Sequence, residues 1–278
     1  PSPTFAYTPA WSPDSRRLLF TDTDLRLWVV DVASGRATHV DTDTYMAPER
    51  TMNPVWSPDS RWIAYVKRLP SQFHAIQVYS LDDGRTRQLT DGLSDATWPA
   101  WDASGKYLYF LASTNYALNT GWLDMSSYDR PVTRAVYLAV LARGEPSPLM
   151  PESDEEAVGA GAEAGDEEED APAPRVVIDF DGILQRIVSL GVPPRDYGEL
   201  RAGTPGTVFY LEAPPTSVAT AGPPTGATLH RWQTSERAAT ELLAGVRDYL
   251  VSHDGKKLLY RAGFGPAEHW AVVDADKA

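Results

Sequence analysis

Short apolar runs alternate with clusters of Ser, Pro, Asp and Gly along this chain, and the same order returns at a fixed interval. The run Val55-Trp56 meets Ser57-Pro58-Asp59-Ser60 and is followed at once by Trp62-Ile63-Ala64-Tyr65-Val66. Trp11-Ser12-Pro13-Asp14-Ser15 carries the same pattern upstream, and Trp101-Asp102-Ala103-Ser104-Gly105 carries it downstream in looser form, so the three Trp residues stand 45 positions apart both times. Pro presets φ at the second turn position and Asp or Ser bonds local backbone, so each cluster reads as a tight turn between two strands. A period of about 40 to 45 residues is that of a four-stranded propeller blade. The predicted fold is all-β, a β-propeller of four-stranded antiparallel blades.

The chain divides into about five such units, at 4–42, 50–92, 96–191, 196–245 and 247–278, within one domain. In the first, Phe5 to Trp11 is the innermost strand, Arg17 to Thr21 and Leu25 to Asp31 follow, and Arg36 to Val40 forms the outer edge. The second repeats this order with Thr51 to Trp56, Trp62 to Lys67, Ala75 to Leu81, an Asp-Gly hairpin turn and Arg85 to Thr90. The third starts as the others do, but its third and fourth strands are expected only at Arg175 to Phe180 and Gln185 to Leu190, after an insertion spanning 113–174. That insertion holds one extra predicted strand, Ala135 to Leu141. The last two units lack the Trp: alignment on Thr204 to Tyr210 puts Arg201 at the position of Trp101, and Val251 takes that place in the fifth unit. The fifth unit lacks an outer strand, so the chain is expected to be an excised piece of a larger propeller.

Composition sharpens this picture at two points. The net charge of −13 argues against a nucleic-acid partner, and most of it is local, since Glu152 to Asp170 holds ten acidic residues and no basic ones. With almost nothing to bury, 151–174 is predicted to be a disordered surface loop. There are no cysteines, which removes disulfides and thiolate metal sites. No apolar stretch approaches membrane-spanning length.

A search for chemistry yields little. The five histidines, His39, His74, His230, His253 and His269, fall on third or outer strands and one turn, with no two at metal-ligand spacing. No nucleophile has a base at recognisable spacing, so neither catalytic residues, nor a metal, nor a cofactor is expected. Asp95, Glu199 and Asp248 lie six, two and three residues before their frame positions and so are not expected to share a level. The repeated Trp residues read as packing between blades. The front of the insertion is the candidate ligand site: Tyr116, Trp122, Tyr128, Arg130 and Arg134 bring aromatics and guanidinium groups together in non-repeating sequence on a rigid scaffold.

The Ser-Pro-Asp-Ser turn followed by a basic residue and an apolar run resembles the TolB-type propeller repeat. Thr23 to Trp28, Asn53 to Ser60, Asp91 to Thr97 and Gly121 to Tyr128 together resemble the propeller region of bacterial tricorn-type serine proteases. That resemblance implies a cytoplasmic, oligomeric serine peptidase as the parent, acting on oligopeptides. This chain would be its non-catalytic propeller module, which gates or steers substrates, supports assembly and contacts the parent's remaining domains. The rival reading is a freestanding TolB-like interaction propeller.

Overall fold

The computed structural model describes residues 5–44, 52–114, 132–150, 174–214 and 226–276. The acidic stretch and most of the front of the insertion lie outside these residues. Eighteen strands make four antiparallel sheets among the described residues. The first sheet holds β1 (Ala6–Trp11), β2 (Arg17–Asp22), β3 (Arg26–Asp31) and β4 (Ala37–Thr42), in that order. The second holds β5 (Val55–Trp56), β6 (Trp62–Arg68), β7 (His74–Ser80) and β8 (Arg85–Gln88). The third holds β9 (Asp95–Trp101), β10 (Tyr107–Ser113), β11 (Ala135–Val140) and β12 (Ile187–Ser189). The fourth is a six-stranded sheet of β13 (Tyr197–Ala202), β14 (Thr207–Glu212), β15 (Ala227–Gln233), β16 (Ala238–Val251), β17 (Lys257–Ala262) and β18 (His269–Asp274).

The turn clusters do what their chemistry dictates. Ser12 Oγ donates to Asp14 Oδ1 at 2.6 Å and accepts the Arg17 N–H at 2.9 Å. Ser57 and Ser252 repeat the pattern with Asp59 and Asp254 at 2.6 and 2.5 Å, and with the N–H groups of Trp62 and Lys257 at 2.9 Å each. The last turn residue is left-handed, which explains why Gly105 and Gly255, at φ +72° and +71°, alternate there with Ser15 and Ser60, at +58° and +59°.

Burial then follows from stacking the units face to face. Leu19, Leu27 and Val29 pack on Trp56, Ile63 and Tyr65; Val66, Ile76 and Val78 pack on Trp101, Leu108 and Phe110. Tyr109, Val136 and Leu138 meet Leu200, Val208 and Trp232, and Phe209 and Leu229 meet Tyr249 and Leu258. Each fully buried side chain of this size contributes about 1.5–3 kcal/mol relative to exposure. The repeated Trp adds a directional tie: Trp56 Nε1 donates to Ala10 O, and Trp101 Nε1 to Val55 O, both at 3.2 Å, linking each innermost strand to the one before.

Three expectations are corrected. The third strand of the third unit is β11, inside the insertion, which pairs with β10 from Tyr107↔Val140 to Ala112↔Ala135. Arg175 to Phe180 is extended chain crossing the sheet, with Val176 N–H on Asp59 Oδ2 at 2.9 Å and Asp179 N–H on Leu141 O at 3.0 Å. A strand between two blades needs both faces apolar; β11 has them, whereas Arg175 and Asp179 spoil the alternative. Second, the fourth and fifth units form one sheet, because β16 is the outer strand of one and the innermost strand of the other. It passes through Gly245 at φ +75°, where a Cβ on Gly226 would come within 2.3 Å of the Gly245 backbone. Third, the frame position of the fourth unit is Ala202, not Arg201. Trp11, Trp56, Trp101 and Val251 pair with the residue seven positions on, whereas Ala202 pairs with Val208, six on, because that turn is one residue shorter.

Candidate binding site

That one-residue correction changes what converges at the centre. The residue three before the frame position is Thr8, Asn53, Trp98, Glu199 and Asp248 in the five units, and all five line a single cavity of about 630 Å³. Glu199 and Asp248 therefore share a level, contrary to the sequence expectation; Asp95 lies elsewhere. The backbone explains how these side chains reach the cavity. The strand register slips between Tyr7 and Ala10, opposite Thr97–Ala100 where β9 meets β10, between Gly198 and Arg201, and between Val246 and Asp248. Such bulges re-aim a side chain. Thr8, Trp98 and Glu199 sit at these slips at φ +48°, +54° and +51°, and Asn53, just ahead of β5, takes φ +38°, a left-handed conformation costing about 1–3 kcal/mol per non-glycine residue. The same strained device at the same level of four units marks this ring as the candidate site.

The cavity has two kinds of wall. The second and third units offer Pro54, Val55, Trp56, Pro99 and Trp101, while the fourth and fifth offer Arg201, Arg247 and Arg261 around Glu199 and Asp248. Arg201 Nη2 lies 3.7 Å from Glu199 Oε2, and Arg247 and Arg261 both approach Glu268. Burial, opposed by Arg201 and reinforced by Asp248, raises the Glu199 carboxyl above its ordinary value. Tyr249, fully buried, donates its hydroxyl to Glu199 O and so replaces the Trp tie that Ala202 and Val251 cannot make. Sequence reasoning missed this wall because a one-residue misalignment hid its common level. The signal available was the cluster Glu199-Arg201 and Arg247-Asp248 just ahead of two degenerate frame positions.

Of the residues predicted to bind ligand, Tyr116, Trp122, Tyr128 and Arg130 lie outside the described residues. Arg134 is engaged structurally: its Nη2 donates to the fully buried Asp95 at 3.1 Å, and its backbone exchanges hydrogen bonds with Arg195 at 2.7 and 3.0 Å. Asp95 also accepts from the backbone N–H and Nδ1 of His74 at 2.9 and 2.6 Å, and Arg68 Nε donates to His74 Nε2 at 3.2 Å. These contacts turn the second ring nitrogen of His74 to a guanidinium rather than to a hydroxyl nucleophile. Burial pushes Asp95 up, but the His74 hydrogen bonds and the Arg134 charge outweigh it and hold the carboxyl below its usual range. The cluster ties the second unit to the third.

With the geometry of the ring in place, comparison with known proteins decides the family. Residues 4–265 match the model of the tricorn protease second beta propeller domain. The chain belongs to this family. Among curated proteins, this tricorn propeller is 28% identical over 284 residues to tricorn protease homolog 1 of Streptomyces coelicolor, covering 96% of the chain and 25% of that protein. It is 26% identical over 252 residues to the tricorn protease homolog of Saccharolobus solfataricus, covering 89% of the chain and 21% of that protein. The chain thus spans about a quarter of the length of these relatives. In three dimensions the tricorn propeller resembles the crystal structure of the tricorn protease, at a TM-score of 0.68 and 17% identity over 97% of this chain and 27% of that one. TolB from Acinetobacter baumannii follows at 0.59 and 11%, over 98% of this chain and 52% of that one, a likeness of fold alone.

Proposed function

We propose that this chain is a non-catalytic propeller module of a larger, cytoplasmic, oligomeric tricorn-type serine peptidase, and that its central cavity steers oligopeptides within the parent. The observation that carries the reading is the cavity itself, to which every unit contributes one side chain at a common level. Hydroxyl, carboxamide, indole and charged groups suit an extended peptide, whose backbone needs hydrogen-bond partners of both kinds. The TolB-like alternative is the weaker one, since structural likeness to TolB is lower than to the tricorn protease. In this proposal the propeller extends beyond these units, supported by the apolar faces at either end of the arc: Phe5 and Trp11 are 78% and 58% exposed on the first sheet, Trp270 and Val272 55% and 64% on the last.

The test is photo-crosslinking of the purified chain with oligopeptides carrying a benzophenone residue, followed by mass-spectrometric mapping. The expected adducts fall on β5, β9, β13 and β16 and leave the peptide uncut. Adducts confined to the outer strands would overturn the assignment of the cavity, and cleavage that persists after repurification would overturn the non-catalytic role.

A further inference from the structure

The charged wall is unevenly satisfied. Nε of Arg201 and of Arg261 is buried with no hydrogen-bond partner among the described residues, as is Oε2 of Glu199. Arg201 lies 3.7 Å from Glu199 and Arg261 3.9 Å from Glu268, both beyond the roughly 2.7–2.9 Å of a charge-assisted hydrogen bond. What holds the two guanidinium groups is stacking: Arg201 lies over the Tyr249 ring at 5.3 Å and Arg261 over the Trp270 ring at 5.5 Å. A guanidinium held by its face keeps its N–H edge free for an acceptor. Glu199 meets that edge only at 3.7 Å and with no hydrogen bond to its Oε2, and burial, reinforced by Asp248, raises its carboxyl.

We propose that Arg201 and Arg261 bind a carboxylate of the peptide in the cavity, while the apolar side chain next to that carboxylate rests on Trp98, Pro99 and Trp101. This rests on the peptide-steering reading above. The planar fork of arginine matches a carboxylate through two parallel N–H···O bonds. The carboxyl groups of Glu199 and Asp248, at one level of the same wall, disfavour a more highly charged anion such as phosphate. Thr8 and Asn53 at that level supply a hydroxyl and a carboxamide for the peptide backbone. The carboxylate comes from a free C-terminus or from an acidic side chain, and the two sources are separable.

The full chain would be titrated calorimetrically with one apolar pentapeptide in three forms: free C-terminal acid, C-terminal amide, and amide carrying an internal Glu. The acid is expected to bind at least about tenfold more tightly than the plain amide, about 1.4 kcal/mol. Arg201→Gln should erase the wild type's preference for the acid over the amide. Arg201→Lys is the second variant, should the first fail to fold, and is expected to lose most of the preference because an ammonium cannot pair bidentately. Tightest binding by the Glu-bearing amide supports the carboxylate site with a side chain as its source. Equal binding of all three forms by the wild type overturns the carboxylate inference and leaves peptide steering standing. Binding of none of them overturns both.

Discussion

In the second and third units the innermost strands end in Trp56 and Trp101, whereas in the fourth and fifth the same position holds Ala202 and Val251. Both pairs of units line one cavity. Where the indole is present it spans the gap to the preceding strand, donates to that strand's carbonyl and presents an apolar wall. Where it is absent, Tyr249 takes over the tie to Glu199 O from a different position, and the wall is left to guanidinium and carboxyl groups. A repeat that surrenders its structural residue in some units thus gains chemistry in those units. The fold tolerates this because packing between neighbouring units is approximately a sum of local interfaces.

The comparison can be broken most forcefully at the indoles. Trp56→Ala is expected to destabilise the chain by about 3–5 kcal/mol, the cost of emptying a large aromatic site. Trp11, the same repeat residue at 58% exposure, should cost less than about 1 kcal/mol when changed to Ala. Denaturant midpoints of the two variants check this, and equal losses would dissolve the distinction between a packed and an open Trp.

Asp95→Asn removes the charge shared by His74 and Arg134 and is expected to cost about 3 kcal/mol at neutral pH, as for other broken buried pairs. The sign of the pH dependence follows from its depressed carboxyl. The folded state gives up the proton more readily than the unfolded one, so this stabilisation is complete above the ordinary Asp value of about 3.9 and is lost as pH falls through the lower folded value. The wild type should therefore show a steeper acid-side fall in unfolding free energy below about pH 4 than the Asn variant, in which Asp14, Asp22 and the other depressed carboxyls still contribute.

On the charged side the effects are smaller. Tyr249→Phe deletes the hydroxyl tie while keeping the ring, and about 1 kcal/mol is expected from one hydrogen bond. Glu199 titrates with the opposite sign to Asp95. Its raised carboxyl keeps its proton longer when folded, so stability falls as pH rises from the ordinary Glu value through the folded one. Glu199→Gln should abolish that slope and raise stability at pH 7 by less than about 1 kcal/mol, the range of partly exposed charges. Melting temperatures between pH 4 and 8 would show it, and a loss of stability at pH 7 would mean that Glu199 anchors the wall instead.

Most of the fold was legible in the chain because turn chemistry and apolar alternation are local signals. Ser12, Ser57 and Ser252 announce their turns, and the three Trp residues set the period. The third unit was misread because Ala135–Val140 and Arg175 to Phe180 are both strand-like runs, and only burial on both faces chose between them. The site was barely legible. A turn shortened by one residue moved Ala202, not Arg201, into the frame, and the left-handed backbone at Thr8, Asn53, Trp98 and Glu199 carries no glycine to betray it. Arg134, the one residue of the expected ligand site among those described, donates its Nη2 to Asp95.

The central claim is that the indole wall holds the fold and offers the peptide only an apolar surface that another aromatic ring can supply, whereas the arginine wall fixes the peptide's carboxylate. It is tested most directly by measuring melting temperature and oligopeptide affinity on the same samples of Trp101→Phe and Arg261→Gln. The account predicts a crossed result: Trp101→Phe, which loses its hydrogen bond to Val55 O, melts several degrees lower with affinity changed less than about threefold, while Arg261→Gln keeps its melting temperature and loses about tenfold in affinity. Parallel changes in both quantities for both variants, or unaltered affinity in Arg261→Gln, would contradict it.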